Sequence, residues 1–267
     1  MLIDCFPYFN EKELLELRVR TLENFVDGFL IADANLTHRG DPKEFTCLNT
    51  IRELGLPEEK IQVLHVELPS KEEVADPWIR ERGQRDALGV GLHMMPEDTI
   101  YICSDCDEIV NPDQLDAISE VVKGAKDKIV KLSMSMHYGR ADKQLITPDG
   151  KLHNWRNAFA STVGFLKEGG TLSSMRADTD CIYFGDLDAG WHFSWMGDSE
   201  RRLKKLKSYA HWETDRPDIE QTCERFNAEV GEPDMLGRGD HLITEYPIEK
   251  LPAGVTELQH VKSFLLP

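Results

Sequence analysis

The chain has 267 residues, of which 40% are hydrophobic and 30% are charged. This composition is typical of a globular protein and excludes an intrinsically disordered chain. The 48 acidic and 31 basic residues give a net charge of −17, which argues against a protein that coats nucleic acid or an anionic membrane. No apolar run approaches the roughly 20 residues that span a bilayer. Residues 1–10 lack the basic and apolar segments of a signal peptide, so we expect a soluble, cytoplasmic protein with reduced cysteines.

Helix and strand patterns alternate through the first half of the chain. Apolar residues at helical spacing predict a helix over residues 11–25, and Asn10 with Glu13 has the spacing of a capping box. Short apolar runs predict buried strands at residues 29–32, 61–66, 99–103 and 129–135. The segments between them predict helices at about 44–54, 72–90 and 112–123. This alternation indicates an α/β fold with a mostly parallel central sheet and flanking crossover helices.

The second half of the chain is more mixed. It contains strand-like runs at residues 158–165, 181–184 and 191–195, followed by predicted helices at about 199–209 and 218–229. The helix at 199–209 is strongly basic, and we interpret its basic side chains as a solvated face. Because no repeat or low-complexity linker divides the chain, we predict a single domain over residues 1–267, with a nucleotide-binding half at 1–140 and a more irregular half at 141–267.

An acidic cluster of sequence Ser-Asp-Cys-Asp-Glu occupies residues 104–108, directly after a predicted strand. In open α/β sheets, ligands bind outside the carboxyl ends of the strands. On an extended segment, Asp105 and Asp107 would point to the same side. Such a pair suits Mg²⁺ or Mn²⁺, which keeps other positions for water and substrate phosphates. The alternative is an acidic turn that caps the following helix, but the strand before it favours a metal site, through which an acidic protein can bind an anion.

Three arginines, Arg80, Arg82 and Arg85, lie close together on the predicted helix at 72–90. Arginine suits bidentate recognition of phosphate. A solvated helix face with a Glu81–Arg85 pair one turn apart is the alternative interpretation.

An aromatic segment at residues 190–195 places His192 between Trp191 and Trp195. The imidazole could bind a metal such as Mn²⁺, and the indole rings could form a platform for a sugar. An aromatic core strand with a hydrogen-bonded histidine is the alternative. Just upstream, Asp186 and Asp188 could act as a general base or could be ordinary turn residues.

The motifs taken together resemble glycosyltransferase family 17. The resemblance is carried by residues 3–11, 26–35, 80–85, 104–109, 136–139 and 190–195, with Thr37 and Gly40 between them. It implies a GT-A-type, Rossmann-like fold. It also implies inverting, metal-dependent transfer of a sugar, N-acetylglucosamine, from a UDP-sugar to a glycan hydroxyl. Residues 1–140 would then bind the nucleotide sugar, and residues 141–267 would form the acceptor side.

The same resemblance assigns roles to single residues. Asp105 and Asp107 would hold Mn²⁺ or Mg²⁺ on the donor diphosphate, and His192 would be a further contact of the metal or the diphosphate. Arg80 and Arg85 would lie on the donor side.

Asp33, at the end of a predicted strand, would lie near the nucleotide pocket, where the family often has Glu. The resemblance does not identify the catalytic base. Glu108, Asp186 and Asp188 are the candidates.

Two other functions compete with this interpretation. A haloacid-dehalogenase-like, Mg²⁺-dependent phosphatase also has an Asp-x-Asp motif after a strand, but usually near the start of its domain, whereas Asp105 follows two earlier predicted strands. A non-catalytic carbohydrate-binding protein would use Trp191 and Trp195. The sequence predicts no nucleic-acid partner and does not indicate an oligomeric state.

Overall fold

The computed structural model describes residues 1–125, 127–237 and 240–267. The strands in these residues are β1 (Leu2–Tyr8), β2 (Gly28–Ala34), β3 (Ile61–Val66), β4 (Ile100–Cys103), β5 (Glu108–Val110), β6 (Val130–Leu132), β7 (Met134–Tyr138), β8 (Arg140–Ile146), β9 (Asn154–Trp155), β10 (Phe159–Thr162), β11 (Ile182–Phe184), β12 (Gly190–Ser194) and β13 (Leu242–Glu245). The α-helices are α1 (Lys12–Leu22), α2 (Cys47–Glu53), α3 (Pro77–His93), α4 (Leu115–Gly124), α5 (Val163–Lys167), α6 (Leu172–Ala177), α7 (Ser199–Leu206), α8 (Ile219–Arg225), α9 (Gly254–Glu257) and α10 (Gln259–Leu265). None of the helices in the described residues is long and apolar enough to cross a bilayer.

The central sheet contains seven of the described strands, in the order β11-β6-β10-β4-β1-β2-β3. Within it, β10 is antiparallel to both of its neighbours, and the other strand pairs are parallel. The predicted α/β class with a mostly parallel central sheet is therefore confirmed. The carboxyl ends of β1, β2 and β4 lie together at one edge, which is where ligands bind in such sheets.

Both faces of the central sheet are covered by helices, as a parallel sheet requires. Alternate residues along each strand face opposite ways: Phe29 and Ile31 join the core under α1, α2 and α4, whereas Leu30 and Ala32 join the core under α3, α5 and α6. This explains why the central strands read as continuous apolar runs in the sequence.

A second, mixed sheet joins the first at the acidic cluster. Its strands run in the order β13-β8-β7-β12-β5, and β9 pairs with β7. Strand β12 is parallel to β7 and antiparallel to β5, so that His192 lies directly opposite Glu108. This register brings the aromatic segment of the second half of the chain next to the acidic cluster of the first.

The structure differs from the sequence prediction at several places. The strand β1 was not predicted. The predicted capping box is wrong: Asn10 has a positive φ of 52°, and α1 starts after Glu11 with no side-chain cap. The side chain of Asn10 instead accepts a hydrogen bond from Thr46. The predicted strand at 129–135 is divided into β6 and β7.

Gly190 lies where β12 approaches β5 closely enough to exclude a side chain. A Cβ atom at this position would lie 2.3 Å from the carbonyl oxygen of Ile109 and 2.9 Å from the Cα of Val110. Because both are backbone atoms, the strands themselves would have to move apart. We expect Gly190→Ala to lower the free energy of unfolding by about 1–3 kcal/mol, measured by urea denaturation.

Gly89 is the matched control, because a Cβ atom there would meet nothing within 4 Å and the residue lies inside α3. Gly89→Ala should leave stability unchanged or raise it by up to about 1 kcal/mol. Equal effects of the two substitutions would contradict the close approach of β12 to β5.

Candidate active site

The acidic cluster is held in place by a buried arginine on α1. Arg18 donates to both carboxylate oxygens of Asp4 at 2.6 Å, and neither side chain is exposed. The same guanidinium donates to the carbonyl oxygens of Asp105, at 2.6 Å, and Glu108, at 3.0 Å. It also donates to the hydroxyl of Ser104. The loop that follows β4 is therefore fixed by its backbone, which leaves the carboxylates of the cluster free to point elsewhere.

The carboxylate of Asp105 lies between two arginines. Its Oδ1 accepts from Arg85 at 2.7 Å and its Oδ2 accepts from Arg176 at 2.6 Å. Burial alone would raise the pKa of Asp105, but the charges of Arg176 and Arg85 lower it to about 2. Both oxygens are thus engaged by protein cations.

Asp107 faces a different set of side chains. Its Oδ2 accepts from the ammonium of Lys205 on α7 at 2.8 Å, and its Oδ1 lies 3.6 Å from Nε2 of His192. Burial opposes ionisation, but Lys205 and then His192 hold the pKa of Asp107 well below its usual range. The two aspartates therefore have different partners. The expected extended segment is wrong, because residues 105–108 form a turn in which the backbone N–H of Glu108 donates to the carbonyl oxygen of Asp105 at 2.9 Å.

Glu108, a predicted base, is completely buried. Its carboxylate accepts from the indole N–H of Trp155 and from both terminal nitrogens of Arg176, and Oε2 also accepts from the backbone N–H of Asp105. A carboxylate with these partners is a structural anchor and presents no free oxygen to a substrate.

The other two predicted bases lie elsewhere. Asp186 and Asp188 are exposed, in the loop before β12. The carboxylate of Asp188 accepts from the backbone N–H of Asp186, and its carbonyl oxygen accepts from the side chain of Asn111. Because Asn111 follows β5 and Asp107 precedes it, the whole of β5 separates these aspartates from Asp107.

Two further predicted residues hold loops at the same sheet edge. Arg80 is 1% exposed and donates to the carbonyl oxygens of His38 and Val74 at 2.6 Å. Asp33, at the carboxyl end of β2, forms an ion pair with Lys43 and accepts from the backbone N–H of Cys47 at the start of α2. Both residues shape the segment that follows β2.

A cavity of about 400 Å³ opens beside the acidic cluster, between α1 and α7. Lys205 and Glu11 lie on its wall, together with apolar side chains that include Phe9 and Phe193. Burial raises the pKa of Glu11 to about 7, with further contributions from the charges of Asp107 and Asp105, while Lys205 opposes this rise. Among the described residues, the carboxylate of Glu11 has no ion pair within 4 Å.

The residues around Asp107 fit a cation. The ammonium of Lys205 already lies on one oxygen of Asp107, and the imidazole of His192 faces the other. The described residues contain no group of three or more metal-binding side chains. A hard divalent ion bound here would thus take its remaining ligands from water and substrate phosphates, as Mg²⁺ commonly does. Asp105 fits less well, because both of its oxygens are taken.

The aromatic segment forms core, not a sugar platform. Trp191 is 8% exposed and donates to the carbonyl oxygen of Lys250, and Trp195 is 3% exposed. Neither indole presents a face to solvent, which argues against the carbohydrate-binding alternative that used these rings. The imidazole of His192 packs against Trp155 in a tilted arrangement, with ring centroids 4.3 Å apart.

Sequence reasoning missed four residues of this site: Glu11, Trp155, Arg176 and Lys205. Arg176 and Lys205 come from the second half of the chain, and Lys205 was interpreted as part of a solvated face. The excess of basic residues on an otherwise acidic chain was the signal that could have indicated Lys205. Arg176 gave no such signal.

Comparison with known proteins adds a family to this geometry. The model of glycosyltransferase family 17 matches residues 1–228. No curated protein matches the chain at a significant level.

Several solved structures are distantly similar. A 4-diphosphocytidyl-2C-methyl-D-erythritol synthase is 12% identical, covers 70% of this chain and 90% of its own, and has a TM-score of 0.43. A mannose-6-phosphate isomerase from Helicobacter pylori is 13% identical, with coverages of 84% and 78% and a TM-score of 0.39. Residues 1–349 of TarS from S. aureus are 8% identical, with coverages of 84% and 69% and a TM-score of 0.43.

Arg176 should be essential to the stability of the cluster. Arg176→Met leaves the buried carboxylate of Glu108 and the partly exposed carboxylate of Asp105 with less compensation. We expect a loss of about 3–5 kcal/mol in the free energy of unfolding, measured by urea denaturation. Lys123→Met, which removes an exposed ion pair with Glu120, should cost less than about 1 kcal/mol. Similar losses for both variants would contradict the anchoring role of Arg176.

Glu11 should make stability depend on pH. A carboxyl group whose pKa is higher in the folded protein than in the unfolded chain stabilises the fold at low pH, and this contribution is lost as the pH rises through 7. Glu11→Gln should therefore gain stability relative to the wild type between pH 4.5 and pH 8, on the order of 1–2 kcal/mol, followed by thermal unfolding without metal. Glu200→Gln, which removes an exposed carboxylate on the same cavity, is the control. A constant difference between Glu11→Gln and the wild type across this range would disprove the raised pKa.

Proposed function

The chain belongs to glycosyltransferase family 17, and from this premise we propose a metal-dependent, inverting transfer of N-acetylglucosamine from UDP-N-acetylglucosamine to a glycan hydroxyl. The observation that carries the proposal is the buried Asp107 at the carboxyl end of β4, which is already neutralised by a cation and faces an imidazole. Family membership supports a sugar transferase over the phosphatase alternative. The finer assignments of donor, metal and stereochemistry are our proposal.

Asp107 and His192 would hold the metal ion, Mn²⁺ or Mg²⁺, together with the phosphates of the donor. When bound, such an ion supplies positive charge to the leaving nucleoside diphosphate. Asp105 would remain with Arg85 and Arg176, whose contacts keep its carboxylate ionised at the edge of this site. We propose that Asp105 does not bind the metal directly. It would instead orient the donor through its hydrogen bonds to Arg85 and Arg176.

The nucleotide would lie over the carboxyl ends of β1 and β2. We propose that Asp33 and Arg80 act here by holding the segment after β2, since their polar atoms are bonded to that segment and its neighbours. Such fixed loops reduce the ordering cost of binding a donor.

The acceptor hydroxyl needs a group to take its proton. In the proposed step, its oxygen bonds to the anomeric carbon on the face opposite the leaving group, and the bond from that carbon to the diphosphate oxygen breaks. The electron pair of the broken bond leaves with UDP. Of the predicted bases, Glu108 has its oxygens occupied, while Asp186 and Asp188 lie beyond the far end of β5. We therefore propose Glu11, on the wall of the cavity, since a pKa of about 7 suits a base near neutral pH.

A screen of UDP-sugars tests the proposed function. Thermal unfolding with each donor, with and without Mn²⁺, should show the largest stabilisation with UDP-N-acetylglucosamine plus Mn²⁺, because a ligand of the native state raises stability by mass action. Transfer to a glycan acceptor would be followed with the same donor. A larger shift with another sugar would overturn the donor assignment.

Asp107→Asn tests the metal site directly. The substitution keeps the shape of the side chain and removes its charge, so we expect Mn²⁺-dependent UDP binding to be lost in calorimetry and turnover to fall at least about 100-fold. Asp116→Asn, an exposed change on α4, should behave as the wild type. UDP binding that ignores Mn²⁺ and survives Asp107→Asn would rule out the metal role.

A further inference from the structure

Lys205 is a cation in an unusual position. It lies on α7, whose basic side chains the sequence predicts to form a solvated face. Its ammonium nevertheless donates to the buried carboxylate of Asp107 at 2.8 Å. The ammonium also lies 5.6 Å from the centre of the Trp195 ring. The side chain of Asp107 is 7% exposed and that of Lys205 is 34% exposed, so the lysine stands between the carboxylate and solvent.

The cavity provides space into which the side chain of Lys205 can move. Lys205 lies on its wall next to Lys204, and Glu11 lines the same space. A lysine side chain is a flexible four-carbon stem with a compact charge and freely rotating donors. The ammonium can therefore leave Asp107 by rotation of its own side chain, without any change in the backbone of α7.

A divalent ion and this ammonium cannot share Asp107 without repulsion, because like charges at such short range oppose each other strongly inside a protein. A metal that binds Asp107 thus has to displace Lys205 or bind weakly. The donor diphosphate brings the compensating negative charge, since it arrives next to the metal and offers the displaced ammonium a new partner. A lysine is well suited to this second role as a point charge for phosphate.

We propose that Lys205 occupies the cation position on Asp107 while the site is free of metal, and that it transfers to the donor diphosphate when the metal binds. This inference rests on the proposed function, because it requires a metal and a nucleoside diphosphate at Asp107. It makes Lys205 a donor-binding residue and makes metal affinity depend on the nucleotide.

The proposal predicts opposite changes in two binding constants. Without nucleotide, loss of the ammonium removes a competitor, so Mn²⁺ should bind more tightly. With saturating Mn²⁺, loss of the ammonium removes a phosphate contact, so UDP should bind more weakly. A purely structural ion pair would not give this pattern, because a distorted site weakens both ligands.

The test uses Lys205→Gln, whose amide can still donate to Asp107 but has no charge. We expect the Mn²⁺ affinity without nucleotide to rise about tenfold, measured by electron paramagnetic resonance of free Mn²⁺, and the UDP affinity in saturating Mn²⁺ to fall about tenfold, measured by calorimetry. Lys205→Arg keeps the charge and should retain the weak Mn²⁺ binding of the wild type. Lys207→Met, which removes an exposed lysine paired with Glu220, is the control and should change neither constant.

Circular dichroism and thermal unfolding of each variant establish that it is folded. A folded Lys205→Gln protein whose Mn²⁺ affinity equals or falls below that of the wild type would overturn the proposal for Lys205 alone, provided that the wild type binds UDP in a Mn²⁺-dependent manner. If the wild type shows no Mn²⁺-dependent UDP binding, the proposed function itself fails.

Discussion

The structure depends on the buried ion pair between Arg18 and Asp4. Asp4 lies on β1, an interior strand of the central sheet, and Arg18 lies on the helix that follows it. With neither side chain exposed, the pair would be costly if it stood alone. It is satisfied because the guanidinium also bonds to Ser104 and to the carbonyl oxygens of Asp105 and Glu108, and packs over the ring of Phe6 with its central carbon 4.1 Å from the ring centre. One side chain thus joins β1, α1 and the loop that carries the acidic cluster.

The surrounding charges are arranged around that fixed loop. A protein with a net charge of −17 concentrates cations at one buried place: Arg85 and Arg176 at Asp105, and Lys205 at Asp107. The two aspartates therefore differ in how readily another cation can replace their present partner. Two planar guanidiniums, those of Arg85 and Arg176, bind Asp105 from two sides. A single flexible ammonium, that of Lys205, binds Asp107, and the lysine side chain is one third exposed. Only the second arrangement leaves room for an incoming cation.

Local pattern was enough to predict much of the fold. Continuous apolar runs identified β2 and β4, since every residue of these two strands is buried. The run of β3 was identified as well, although this edge strand of the sheet is partly exposed. The same logic failed for β1, because Asp4 interrupts its apolar run, and a buried charge looks like a loop residue until its partner is known. The capping box at Asn10 was predicted wrongly for a related reason. Its spacing to Glu13 fits a cap, but its side chain accepts a hydrogen bond from Thr46, which lies far along the chain.

The site itself was predictable only where its residues are contiguous. Asp105 and Asp107 stood out because they follow a strand directly, and His192 stood out because it lies between two tryptophans. Arg176, Lys205 and Trp155 reach the cluster through pairing that no local spacing encodes. Trp155 comes in on β9, which pairs with β7, while Arg176 and Lys205 extend from α6 and α7 to the carboxylates. Since each carboxylate of the cluster is compensated by a cation from later in the chain, the site exists only when both halves are assembled. The side chains that surround the acidic cluster therefore come from both sides of residue 140.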